Sequence, residues 1–190
     1  MKNRIFYAAA GIALFFAACS KDKTDTVVMP ATVKTKSITV NFSSSSAFTF
    51  FSFRDTTVVA NSDSASNKWD FGLRLTTFLV NSNASGPGNG GAILQDAIYD
   101  NVATAPASGY AYDTTSSQKA IKDGSWYDYN PTTHSFVPKA GKTFIFRTAD
   151  GHYAKMELLN VTYEPFTGPV PQRLIYNFRY TYQPNNDNKF

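Results

Sequence analysis

The stretch at residues 174–182 constrains the fold more than any other. Leu174, Tyr176, Phe178, Tyr180 and Tyr182 recur at every second position, while Asn177, Arg179 and Thr181 fall between them. Successive side chains of an extended strand point to opposite faces, whereas a helix repeats every 3.6 residues. A period of two held over this length therefore predicts a strand with one buried aromatic face. The same residue types dominate the chain, which holds 16 Phe, 11 Tyr and 2 Trp, 15% of its 190 residues. Tyr and Phe suit a pleated, half-buried surface, so the chain is expected to be all-β. With one cysteine in the sequence, packing alone must hold such a domain together.

That cysteine has a different assignment. Lys2 and Arg4 precede an apolar run from Ile5 to Ala18, and the run ends in Phe16-Ala17-Ala18-Cys19. A run of this length suits a signal-peptide core and falls short of the ~20 residues of a spanning helix. Small residues before a cysteine match a bacterial lipoprotein leader, so residues 1–18 are expected to be removed and Cys19 to carry acyl chains. At ~0.8 kcal/mol per buried methylene, several chains anchor a protein to a membrane. Ser20 to Thr26 are polar and without period, and residues 19–36 read as a tether. Loss of Lys2 and Arg4 lowers the formal charge from +4 to +2, with basic residues scattered singly. That pattern gives no footprint for nucleic acid.

Residues 37–184 read as a single domain of antiparallel strands with long loops. Strands are expected over Ser37–Phe42, Ala47–Phe53, Thr56–Ala60, within Lys68–Val80, and over Trp126–Tyr129, His134–Val137 and Lys142–Arg147. Asp150-Gly151 marks a tight hairpin into Tyr153–Val161. Ala92–Tyr99 suits a strand or a helix. The glycine-rich Asn81–Gly91 reads as a flexible connection, and residues 185–190 as a disordered polar tail.

Chemistry-bearing residues are few. His134 and His152 lie outside any nucleophile motif, and no His-Glu-x-x-His or Cys/His cluster is present. Asp128, Asp150, Glu157 and Glu164 could form an acid pair only if folding gathered them, and Lys155 and Glu157 read as solvent-facing. The chain is not expected to be an enzyme. His134 follows a Pro-containing turn and opens a strand, where it is either an exposed loop residue or one that projects into a cleft between loops.

Three segments together resemble the HmuY family: Trp126-Tyr127-Asp128-Tyr129, Lys142 through Ala149-Asp150-Gly151 to Met156, and Tyr176 to Tyr182. Lys68-Trp69-Asp70-Phe71-Gly72 and the glycine-rich loop up to Gly91-Ala92 extend the likeness, which runs from about Ser37 to Pro184. The resemblance implies an all-β outer-membrane lipoprotein of the Bacteroidetes. It also implies a hemophore that binds haem between loops and passes it to a TonB-dependent receptor, in the periplasm or at the cell surface. Haem-binding members close two His or two Met side chains on the iron. One comes from the segment ahead of the strand matching Trp126–Tyr129, here Tyr110–Ser125, which has neither residue type. The other comes directly after that strand, where Asn130-Pro131 stand and His134 follows. The resemblance therefore implies His134 as the haem-binding and metal-ligating residue, with no second ligand identified. The alternative is a binding lipoprotein of the same fold that takes a non-haem partner.

Overall fold

The computed structural model describes residues 28–43, 45–164 and 171–190, and the leader, Cys19 and the start of the tether lie outside them. Its strands in chain order are β1 (Val33–Asn41), β2 (Thr49–Ser52), β3 (Thr57–Val59), β4 (Phe71–Arg74) and β5 (Thr77–Val80). These are followed by β6 (Gly91–Asp96), β7 (Tyr127–Asn130), β8 (Ser135–Pro138), β9 (Lys142–Arg147), β10 (Tyr153–Tyr163) and β11 (Arg173–Gln183). One sheet has the order β1-β11-β10-β9-β6, a second β3-β2-β4-β5, and β7 and β8 form a separate hairpin. Every pairing between named strands is antiparallel, so the all-β expectation holds.

The alternation in β11 builds the core. Leu174, Tyr176, Phe178 and Tyr180 are buried, together with Ile38 and Val40 of β1, Met156 of β10 and Phe144 and Phe146 of β9. The four-stranded sheet lays Phe51, Phe71, Phe78 and Val80 over them, giving a two-layer sandwich. Rings interlock across the interface. Phe51 meets Phe178 edge-on at 5.3 Å, Phe78 lies 5.1 Å from Phe144, and Phe53 lies 5.2 Å from Tyr180. Such contacts add ~0.5–1.5 kcal/mol each beyond the area they bury. They supply the cohesion that a chain without disulfides requires.

The opposite face of the larger sheet is also covered, which corrects two expectations. Residues 185–190 form no free tail. Phe190 N–H donates to the Ala103 carbonyl at 2.9 Å, Ala105 N–H to Asn188 O at 2.8 Å, and the Phe190 ring packs with Val102, Ala105, Tyr110 and Ile145. Lys155, expected in solvent, is 7% exposed beneath this layer. Its Nζ donates to the carbonyls of Tyr99 (3.1 Å) and Val102 (2.7 Å) and lies 4.5 Å from the Tyr99 ring. Burial lowers its pKa, and the carbonyl dipoles take the place of water around the ammonium.

Two further boundaries differ. β1 starts at Val33, inside the expected tether, because residues 33–36 continue the ladder with β11 as far as Thr181. The glycine-rich loop is built rather than flexible. Buried Asn81 donates through Nδ2 to Ser66 O (2.9 Å) and Trp69 O (2.7 Å), and accepts at Oδ1 from Gly88 N–H (2.9 Å). A Cβ on Gly88 would lie 2.8 Å from Asn81 O and 2.9 Å from Ala149 Cβ, so glycine is needed for this close approach. Ala92–Tyr99 resolves into strand β6 followed by a 3-10 turn at Tyr99–Asn101.

Candidate functional site

His134 stands at the tip of the β7–β8 hairpin, and the base of that hairpin is rigid. Trp126 is buried just ahead of β7, donates from Nε1 to Thr76 O at 3.1 Å, and packs edge-on against Phe78 and Phe136. The Tyr163 hydroxyl of β10 clamps β8 in both senses, accepting from Phe136 N–H at 2.7 Å and donating to Phe136 O at 3.1 Å. Beyond that clamp the hairpin leaves the body. Asn130 Oδ1 accepts from the backbone N–H groups of Thr132 (2.9 Å) and Thr133 (3.3 Å), an Asx turn of the sort that Asn-Pro predicts.

The turn ends with His134 at φ +50°, the left-handed region that a histidine rarely adopts. This backbone accompanies an imidazole folded back across the tip. His134 Nδ1 lies 2.8 Å from the Tyr129 hydroxyl, and both residues are exposed, Tyr129 at 54%. Tyr129 belongs to the Trp126–Tyr129 strand motif but is not among the candidate site residues of the sequence. Its signal is register alone: Tyr129 sits opposite Phe136, two residues from His134 around the turn.

His134 does not line a cleft. The largest cleft among those described, about 840 Å³, lies between the β4–β5 hairpin and residues 116–123. Its apolar wall includes Phe48, Leu79 and Ile121, and its cations are Arg74, Lys119 and Lys122, with Asp123 in the lining and Lys119 Nζ 3.8 Å from the buried Asp113 carboxylate. The Arg74 guanidinium lies 4.2 Å over the Phe48 ring, and Lys119 Nζ bonds Ser85 Oγ at 3.0 Å. Asp113, fully buried, fixes this wall by accepting from Val80 N–H (3.0 Å) and Ala120 N–H (2.8 Å). No His, Met or Cys faces the cleft, so it is suited to an anion with an apolar body and offers iron no ligand. Arg74 is distant in sequence from Lys119 and Lys122 and becomes their neighbour only through the fold.

The carboxylates do not converge. Glu157 accepts from Arg179 (2.6 Å) and Glu164 from Arg173 (2.7 Å), while Asp128 lies 3.8 Å from Lys139. Asp150 meets Arg54 at 2.9 Å, and His152 lies 3.2 Å from it, away from His134 on the Asp150-Gly151 turn. Among the described residues no three His, Cys, Asp or Glu gather to hold a metal ion, and no helix is long and apolar enough to cross a membrane.

The architecture is that of a β-sandwich that presents a hairpin and a loop-walled cleft, and solved structures share it. A proposed HmuY-like heme binding protein from Bacteroides vulgatus is similar at 15% identity with a TM-score of 0.51, covering 80% of this chain and 93% of its own. A proposed lipoprotein from Bacteroides fragilis is similar at 14% identity with a TM-score of 0.51, covering 80% of this chain and 90% of its own. At these identities the likeness is one of fold. Comparison with curated proteins gave no significant match. The family is settled by sequence: the HmuY protein family model matches residues 44–168, and the chain belongs to the HmuY family.

Proposed function

We propose that this protein is a lipid-anchored haem-binding protein that serves haem acquisition at the outer membrane. Cys19 is its anchor and a TonB-dependent receptor its partner. Membership of the HmuY family supports the class of ligand. The observation that carries the reading here is the hairpin tip, where His134 is exposed and its Nδ1 is engaged by Tyr129 at 2.8 Å. With Nδ1 so occupied, Nε2 is the nitrogen presented to an iron, and a hydrogen-bonded Nδ1 orients the ring and raises its basicity. One imidazole would hold haem more weakly than a ligand pair, and any apolar face of the porphyrin that the protein covered would add ~25 cal/mol per Å².

The test is a haem titration of the chain lacking residues 1–19, under oxidising and then reducing conditions. A saturable Soret band that disappears in His134→Ala supports the reading. A Soret shift that survives the substitution removes the ligand assignment, and a featureless titration removes the haem function.

A second reading has its own observation. The cleft at Arg74, Lys119 and Lys122 carries cations and an apolar wall without an iron ligand. This suits a non-haem organic anion. Binding of such an anion by a protein that gives no Soret shift would favour it.

A further inference from the structure

Within the second reading of the cleft, on which this inference rests, we propose that the space between the β4–β5 hairpin and residues 116–123 binds an aromatic carboxylate, a flat ring bearing a carboxylate group. The cleft lies outside the sandwich. Phe78 of β5 faces the core, while Leu79 beside it packs on the opposite face with Phe50 and Trp69. A ligand on that face displaces no core atoms. At about 840 Å³ the space is of the size that small organic ligands occupy. The cations Arg74, Lys119 and Lys122 face two acids. Asp113 lies 3.8 Å from Lys119, and Asp123 accepts from the Tyr127 hydroxyl at 2.9 Å. Among the described residues, no carboxylate forms an ion pair with Arg74 or Lys122.

Arg74 decides the class of ligand. Its guanidinium lies over the Phe48 ring at 4.2 Å, and among the described residues its hydrogen bond is a long one, from Nη1 to Ser46 O at 3.5 Å. Most of its N–H fork is therefore left for a ligand. A fork of this kind takes a carboxylate through two parallel hydrogen bonds, which sets the two groups in one plane. In an aromatic acid the ring continues that plane, whereas an alkyl chain leaves it. The flat body so placed meets the apolar wall of Phe48, Leu79 and Ile121, where ring stacking adds to burial.

Both walls stand before a ligand arrives. Leu75, next to Arg74, has φ +48°, a left-handed conformation that is strained for leucine and persists where the surroundings over-determine it. Here they do: the Tyr176 hydroxyl donates to Leu75 O, and Trp126 Nε1 to Thr76 O at 3.1 Å. The facing wall is tied through Asp113. Beyond the two N–H groups that its carboxylate holds, its carbonyl accepts from Ala84 N–H at 3.0 Å, and its own N–H donates to Ser82 Oγ at 3.1 Å. Thr114 N–H then closes the loop onto Gln118 O at 3.0 Å. A site with its walls already fixed spends little binding energy on ordering them.

The experiment is a calorimetric titration of the full chain in lipid nanodiscs, with protein-free discs as the blank. The probes are 2-naphthoate, its neutral amide 2-naphthamide, and decanoate, a flexible acid of similar apolar size. Saturable binding of 2-naphthoate is expected, about tenfold or more tighter than either comparison probe, with a loss of about tenfold or more in Arg74→Gln and a smaller loss in Lys122→Gln. Circular dichroism shows whether each variant is folded. If Arg74→Gln is not, the ratio of naphthoate to naphthamide affinity in the wild type decides. Equal affinity for those two probes, or a folded Arg74→Gln that binds naphthoate as the wild type does, would overturn the inference. Decanoate binding as tightly as naphthoate would overturn the aromatic class and leave the second reading standing. No binding of either acid would overturn both.

Discussion

Asp70 is the group whose replacement tests the electrostatics of this fold most sharply. It is buried where the two sheets meet, with Oδ2 accepting from Phe53 N–H at 2.7 Å and Oδ1 from Ala149 N–H at 3.0 Å. Burial pushes its pKa up from 3.8 to about 6, and the two backbone N–H groups hold it from rising further. A folded-state value above the unfolded one means that the native protein binds more protons between about pH 4 and pH 6. Stability contributed by the protonated form is therefore full below pH 4 and lost as pH rises through 6. The elevation corresponds to about 3 kcal/mol. Asp70→Asn carries no charge, so it escapes this loss. Its single oxygen satisfies one N–H and its amide opposes the other, at ~1–3 kcal/mol for the donor left unpaired. The substitution should therefore destabilise the protein more at pH 4 than at pH 7, by about 2 kcal/mol, since the unfolded carboxyl is already partly ionised at pH 4. Urea unfolding at both values, followed by fluorescence of the buried Trp69 and Trp126, measures the difference. The two proteins differ by one carboxylate, so the other acids cancel in the subtraction. A gap that is constant with pH, or wider at pH 7, would refute the reasoning.

Two more expectations follow from the loops. Asp113→Ala should strip the Val80 and Ala120 N–H groups of their acceptor, at ~1–3 kcal/mol each, and speed amide exchange at Ala120 together with loss of order in the cleft wall; unchanged exchange there would show that the wall stands without the carboxylate. Gly88→Ala sets a Cβ against Asn81 O and Ala149 Cβ, and should lower stability by about 1–3 kcal/mol in thermal unfolding. A melting point equal to wild type would mean that the Asn81 loop yields.

Legibility in the sequence followed the range of the forces involved. The β11 alternation, the Asp150-Gly151 hairpin and the Asn130-Pro131 turn are local signals, and each appears where expected. Lys155 and residues 185–190 went the other way because what covers them comes from elsewhere: Tyr99 and Val102 reach Lys155 across more than fifty residues of chain. A polar tail reads as disordered until Ala103 and Ala105 offer it backbone partners. The candidate site was half legible. His134 was visible as a lone imidazole after a turn, but its pairing with Tyr129 depends on hairpin register and on a left-handed backbone. Nothing in the local pattern joins Arg74 to Lys119 and Lys122.

The sequence by itself determined that this chain is all-β and packed by aromatic rings, since period-two alternation and residue type act over a few neighbours and need no long-range partner. Only the tertiary structure decided which polar groups are buried, which loop is rigid, and which residues stand together at the hairpin tip and in the cleft. Those outcomes depend on contacts between segments far apart in the chain. Their free energies arise only once the sheets have packed and water has been excluded from between them.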